Sequence, residues 1–170
     1  MKNSQLFCIT GLLLLVFTFG CSQDRVPPKG MPKLYPCTIK ITQGGEPLVG
    51  AIVKLHSQGE PIAWTVKGKT DATGTAIVFT DGYFKGAPVG EYKVTVDKLE
   101  SVVPPLPDVL PTNENELMKL GNKQEADTKE YRLVEPVYAE VGATTLSISV
   151  AKKKAEATFD VGSKYRELAY

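Results

Sequence analysis

The chain has 170 residues, enough for one domain with a sizeable hydrophobic core and at most one tail. Hydrophobic residues make up 42%, as in ordinary globular proteins, and 20 basic residues against 19 acidic ones leave a net charge of +1. This balance gives no electrostatic reason to expect a nucleic-acid-binding protein, or a protein drawn to an anionic membrane by its overall charge.

Residues 1–20 have the pattern of a signal peptide. Lys2 precedes an uncharged apolar run, LFCITGLLLLVFTFG, which at about fifteen residues is short for a membrane span. Gly20 and Cys21 end this run and resemble a bacterial lipobox, although Thr18 and Phe19 depart from its usual aliphatic and small residues. The resemblance implies cleavage before Cys21 and attachment of lipid, including palmitate, to that cysteine.

The same segment predicts where the protein resides. Ser22, directly after the cysteine, resembles the sorting pattern for the outer rather than the inner membrane of Gram-negative bacteria. We therefore expect a lipid-anchored protein of the bacterial cell envelope. The alternatives are an ordinary secreted protein with a chance cysteine, or an uncleaved anchor.

Residues 21–36 are predicted to be a lipidated tether, because four prolines in this stretch oppose both helix and strand pairing. The first strand is predicted over residues 35–42. Alternation there places Cys37, Ile39 and Ile41 on one face, so that Cys37 is expected to be a small buried residue and not a reactive thiol.

Three ordered pieces form the centre of the chain: GGEPLVGAIVKLHS, KTDATGTAIVF and GAPVGEYKVTV. In each piece, apolar and polar residues alternate with period two next to a turn rich in Gly, Pro or Asp. This pattern predicts half-buried antiparallel strands, and several such strands at short spacing favour a sandwich.

These pieces, about a third of the chain, resemble the prealbumin-like (transthyretin-like) module of carboxypeptidase regulatory-like domains and Cna-B-type repeats. The shared pattern is G-x-P-L-x-G-A-x-V, then T-D-x-x-G, then P-x-G-x-Y-x-V-x-V. The resemblance implies an all-β fold, an antiparallel seven-stranded prealbumin-like sandwich over residues 37–162. It does not imply a ligand.

Within this domain, residues 62–70 are predicted to form a strand that contains Trp64. A Pro-rich insertion over residues 100–135 should end the sheet and hold one short helix, capped by Thr112 or Asn113 and stopped by Gly121. The polar stretch that follows, NKQEADTKEYRLVEP, is either helical or loose.

Residues 144–151 and 155–161 are predicted to form a hairpin across a turn of three lysines. Leu146, Ile148, Val150, Phe159 and Val161 would give it one apolar face. Residues 163–170 are expected to be a loose tail.

The sequence contains few of the residues and motifs on which catalytic sites are usually built. His56 is the only histidine, and no nucleophile, phosphate-loop or metal-ligand motif is present. We therefore expect a non-enzymatic structural or protein-interaction module without cofactor or metal. Its partners would be the membrane, through the lipid, and an envelope protein or surface polymer, but not nucleic acid. The alternative is a carbohydrate- or small-ligand-binding module that uses the aromatic side chains of Trp64, Tyr83 and Phe84.

Overall fold

A computed structural model describes residues 25–169 of the chain, so the predicted signal peptide and the candidate lipid attachment at Cys21 lie outside the described residues. The strands in chain order are β1 (Leu34–Tyr35), β2 (Cys37–Gln43), β3 (Glu46–Pro47), β4 (Ile52–Ser57), β5 (Val66–Lys69), β6 (Thr75–Ile77), β7 (Phe79–Thr80), β8 (Phe84–Lys85), β9 (Ala87–Pro88), β10 (Gly90–Asp97), β11 (Leu99–Val102), β12 (Lys129–Arg132), β13 (Ser147–Val150), β14 (Ala155–Asp160) and β15 (Glu167–Ala169). Two helices are described, α1 (Glu114–Asp127) and α2 (Pro136–Ala139).

The largest sheet has six strands in the order β13-β10-β4-β5-β7-β8, and all of its pairings are antiparallel. Its central strands follow the predicted alternation. Val53 and Leu55 of β4, and Tyr92, Val94 and Val96 of β10, are buried, and they face the core because successive side chains in a strand point to opposite sides.

A second sheet is built on β2, which pairs with β14 on one side and with β3 and β6 on the other. Its alternation is as the sequence predicted, since Cys37, Ile39 and Ile41 are all buried. Burial raises the pKa of the Cys37 thiol to about 11. The thiol therefore stays protonated and inert at neutral pH, as expected from the sequence.

Buried side chains from these two sheets belong to one hydrophobic core. The fold is thus mostly β, as predicted, with mainly antiparallel sheets, but it has two helices where the sequence predicted one short helix. The seven-stranded sandwich is not confirmed, because the described residues form four hydrogen-bonded sheets. Besides the two already given, β1 pairs with β9, and β11, β12 and β15 form a separate three-stranded sheet.

Side-chain hydrogen bonds stabilise two parts of the central stretch, the turn at Asp71 and the beginning of β10. The Asp71 carboxylate accepts hydrogen bonds from the backbone N–H of Thr73 and of Thr75, at 2.8 and 3.0 Å, which confirms its predicted role as a turn residue. The hydrogen bond from the Thr73 hydroxyl is the largest cause of the lowered pKa of Asp71. In the next part of this stretch, the buried Tyr92 hydroxyl of β10 donates to the Pro88 carbonyl of β9 at 2.9 Å, so its polar end is satisfied.

The predicted C-terminal hairpin is wrong. Strand β13 pairs with β10 in the six-stranded sheet, whereas β14 pairs with β2 in the other sheet, and in parallel orientation. The three-lysine turn therefore carries the chain from one sheet to the other. Phe159 is only half-buried at the side of the core. Alternation identified both strands, but it does not specify a strand's partner.

The Asp160 carboxylate helps to fix this parallel pairing. It accepts hydrogen bonds from the Thr42 hydroxyl at 2.7 Å and from the backbone N–H groups of Gly45 and Gly162, each at 2.9 Å. The hydrogen bond from Gly45 is the main reason why the pKa of Asp160 lies below its ordinary value. The end of β14 is thus tied to the turn that follows β2.

The insertion contains more regular structure than predicted. Helix α1 begins where expected, with the Asn113 side chain accepting a hydrogen bond from the Asn115 N–H at 2.8 Å. It does not stop at Gly121 but continues to Asp127, because a glycine that keeps helical dihedrals costs a helix only about 1 kcal/mol. The end of the helix is closed by the Thr128 hydroxyl, which donates to the Gln124 carbonyl at 2.7 Å.

The six-stranded sheet receives no strand from the insertion, but β11 and β12 form a separate sheet there, and the C-terminal segment is not entirely loose. β11 and β12 flank α1 and pair with each other, and β15 pairs with β12, with Leu168 opposite Tyr131. The Arg166 guanidinium lies 4.1 Å from the centre of the Tyr131 ring and forms an ion pair with Glu100 at 3.1 Å. These contacts hold the last strand, and they join residues too distant in sequence for local patterns to predict.

Candidate ligand cleft

The largest cavity near the predicted site residues lies between the N-terminal segment and β8. Its volume is about 630 Å³, and its walls include Tyr83 and Phe84, two of the three aromatic residues proposed from sequence. The opposite wall comes from residues 25–34, which the sequence had placed in a detached tether. Part of the predicted tether is therefore one side of the cleft.

Backbone pairing holds this segment in place. Leu34 and Tyr35 pair with Pro88 and Ala87 in the two-stranded sheet β1-β9. The approach is close at Gly86, which has φ +110°, and a Cβ there would lie 2.5 Å from the Tyr35 carbonyl oxygen. Only glycine fits both this conformation and this spacing. The glycine therefore permits the segment to lie against the domain.

The other wall is the tight turn between β7 and β8. Asp81 has φ +55° and Gly82 φ +75°, and the Asp81 N–H donates to the Thr65 carbonyl at 2.7 Å. Beneath the turn, the buried Thr80 hydroxyl donates to the Gly86 carbonyl at 2.8 Å. A turn held in this way presents Tyr83, which is 57% exposed, at the mouth of the cleft.

The cleft is positively charged. Arg25, Lys33 and Lys85 line it, and among residues 25–169 no carboxylate does so, although Asp81 is nearby in the turn. The Arg25 guanidinium lies 3.8 Å from the centre of the Tyr83 ring, a cation–π contact that connects the two walls. This arrangement is suited to an anion with an apolar or amphipathic neighbour.

Trp64 lies outside this cleft. It is half-buried, it precedes β5 instead of lying within it as predicted, and it lines a different cavity, of about 370 Å³, with His56 and Pro61. The structure thus brings Tyr83 and Phe84 together, but it does not place Trp64 in the same cavity. The strand begins only at Val66, because Pro61 and two bends precede it. The alternation pattern alone did not indicate this later start.

His56 has a structural partner. Its Nε2 atom lies 2.9 Å from the hydroxyl of Thr95 on the neighbouring strand. Partial burial, with a smaller contribution from Lys54, lowers the pKa of this imidazole. In the part of the chain that the structure describes, no group of three or more His, Cys, Asp or Glu side chains is arranged to hold a metal ion.

Sequence reasoning missed the three cations of the cleft. Arg25 and Lys33 lie in the predicted tether, and Lys85 follows the two aromatic residues of the alternative binding site. One signal was available, since Arg25, Lys29 and Lys33 recur every four residues among the prolines that follow Cys21. That spacing, however, does not show which surface the segment meets.

The described residues contain no helix long and apolar enough to cross a membrane. Comparisons of the chain with protein-family models, with curated proteins and with solved structures gave no match.

Proposed function

We propose that the chain is a lipid-anchored module of the bacterial cell envelope that binds a protein partner and catalyses no reaction. The observation that supports this function best is the number of exposed apolar side chains in the insertion and directly before it. Eight of the sixteen exposed large apolar side chains among the described residues lie between positions 99 and 118. They are Leu99, Val102, Val103, Leu106, Val109, Leu110, Leu117 and Met118.

Apolar side chains concentrated in this way are unusual on a monomeric protein surface and are typical of interaction surfaces. Helix α1 has no buried residue, so the core does not account for its presence. The insertion is nevertheless held in place, because the Gln124 side chain donates to the Pro104 carbonyl at 3.0 Å. Exposed apolar side chains outside the core, on a segment tied to the domain, are what a partner protein would bind.

We further propose that the domain is a prealbumin-like β-sandwich. The shared core of the six-stranded sheet and the β2 sheet supports this assignment, as do the turn at Asp71 and the strand after Gly90, which occur at the positions that the motif resemblance requires. Such a scaffold can present its insertion without rearranging its core, and loops on rigid scaffolds carry much of protein recognition.

Lipid attachment is tested by labelling cells with radioactive palmitate. We expect label in the wild-type protein and none in Cys21→Ser, because the thiol at position 21 is the proposed acceptor. Acyl chains contribute roughly 0.8 kcal/mol per buried CH₂, so the labelled protein should also remain in the membrane fraction. Equal labelling of both proteins would contradict the lipoprotein assignment.

The binding function is tested by affinity capture from an envelope extract with the double variant Val103→Ser/Val109→Ser. Both valines are exposed on the insertion, so the variant should fold normally and lose the captured partner. The matched control is Val49→Ser/Val89→Ser, which changes two exposed valines outside the insertion and should retain it. If both variants retained the partner, the insertion would not be the contact. Reproducible turnover on esterase, glycosidase or peptidase substrates, with no partner recovered, would favour an enzyme.

The second candidate is a carbohydrate- or small-ligand-binding module, and the cleft beside Tyr83 and Phe84 favours it. Its volume is within the range of small-molecule sites, and aromatic side chains bind the apolar faces of sugars. Binding of a neutral glycan, lost in Tyr83→Ala and retained in Val103→Ser/Val109→Ser, would favour this function over protein binding.

A further inference from the structure

We propose that the cleft between the N-terminal segment and Tyr83–Lys85 is a docking surface for the anionic phospholipid headgroups of the membrane that carries the protein. This inference rests on the proposed lipid anchor, because the anchor is what brings the cleft to a bilayer. It adds a second membrane contact, made by folded residues instead of by acyl chains.

The first argument is the local charge. Arg25, Lys33 and Lys85 contribute three positive charges to one cavity, which no carboxylate of the described part of the chain lines. The net charge of the whole chain, only +1, conceals this concentration. Cations gathered on one face are attracted to anionic lipid even when the protein as a whole is close to neutral.

The second argument is the chemistry beside the cations. Tyr83 lines the cleft and is 57% exposed, so the rim of the cleft combines apolar surface with positive charge. Tyrosine is favoured at membrane interfaces, where its ring meets the acyl boundary and its hydroxyl meets the headgroups. A small soluble anion would use the cations alone and would leave this apolar rim without a partner.

The third argument is distance. Arg25 is four residues after Cys21, so even a fully extended chain places it within about 14 Å of the proposed lipid attachment. The segment behind it is fixed to the domain through the pairing of Leu34 and Tyr35 with β9. A tether that was free as far as residue 36 would allow about 45 Å, at roughly 3.1 Å for each residue. The pairing therefore keeps the cleft near the headgroups.

The test uses the mature chain with Cys21→Ser and without acyl groups, so that only the folded protein can bind. Sedimentation with vesicles that contain phosphatidylglycerol should show binding, and vesicles of phosphatidylcholine alone should not. The triple variant Arg25→Gln/Lys33→Gln/Lys85→Gln should bind about 100-fold more weakly, since each cation near an anionic surface contributes roughly fivefold.

The matched control is Lys119→Gln/Lys123→Gln/Lys129→Gln, which removes the same number of charges from exposed positions on and beside α1. It should keep most of the affinity. Equal losses in the two triple variants would mean that the attraction is diffuse, and would overturn the docking surface.

A fluorescent reporter locates the contact. Tyr83→Trp in a Trp64→Phe background leaves a single tryptophan at the mouth of the cleft, and its emission should shift to shorter wavelength when anionic vesicles are added. Vesicle binding without a shift would place the contact elsewhere and overturn the proposal. Binding of inorganic phosphate that requires the three cations, without vesicle binding, would identify a soluble-anion site and overturn it as well.

Failure of this inference is distinguishable from failure of the proposed function. If the wild type incorporates palmitate but the unacylated chain does not bind anionic vesicles, the lipid anchor is supported and the docking surface is contradicted.

Discussion

Replacing Ile39 by alanine is expected to destabilise the protein by roughly 3–4 kcal/mol, within the range measured when a buried isoleucine is truncated. Ile39 is 0% exposed and lies in the middle of β2, between Ala157 of β14 and Ala76 of β6. Both neighbours are alanines, too small to fill the space, so a cavity should remain. Because domains are stable by about 5–15 kcal/mol, the loss should be large in urea denaturation.

The control for this prediction lies on the adjacent strand. Ile77→Ala makes the same chemical change in β6, but Ile77 is 43% exposed, so its truncation should cost less than about 1 kcal/mol. Two variants with the same urea midpoint would show that β2 is not at the centre of the core.

Replacing Gly86 by alanine is expected to cost at least about 3 kcal/mol, from backbone strain and steric overlap together. At φ +110° an alanine is strained, and its Cβ would lie 2.5 Å from the Tyr35 carbonyl oxygen. The contact is with backbone, so no side-chain rotation can relieve it. The variant should therefore separate β1 from β9 and release the N-terminal wall of the cleft.

Thermal unfolding and limited proteolysis measure both parts of this prediction. The variant should melt at a lower temperature, and it should be cut between residues 25 and 35 much faster than the wild type. Gly82→Ala is the matched control, because Gly82 also has a positive φ, +75°, but an added Cβ would meet nothing within 4 Å. Equal melting temperatures and equal cleavage rates of the two variants would mean that the contact with the Tyr35 backbone is not what requires glycine at position 86.

The Gly86 variant also links stability to the proposed membrane contact. If the paired segment keeps Arg25 and Lys33 beside Lys85, its release should weaken binding to anionic vesicles even though all three cations remain. The charges would still be present but no longer arranged on one surface.

Local sequence patterns were sufficient to predict most of the individual strands and turns of the core. Alternation identified β2, β4 and β10 and their buried faces, because a strand with one face in the core must place apolar residues at every second position. The sequence also predicted the turn at Asp71 and a helix cap at Thr112 or Asn113, of which the structure shows Asn113, because both features depend on hydrogen bonds within a few residues. For the candidate cleft, it identified Tyr83 and Phe84 but not the cations opposite them.

The partner of each strand, by contrast, depends on packing between segments that are far apart in the sequence. The parallel pairing of β14 with β2 joins residues more than 100 positions apart and divides the predicted hairpin between two sheets. In the same way, β15 pairs with β12, and the predicted tether becomes a wall of the cleft through pairing with β9. Strands pair through backbone N–H and C=O groups, which are the same in nearly every residue. The pattern of side chains therefore identifies a strand but does not specify which strand pairs with it. The cleft forms in this way, because the pairing of β1 with β9 brings two segments together that are more than 50 residues apart.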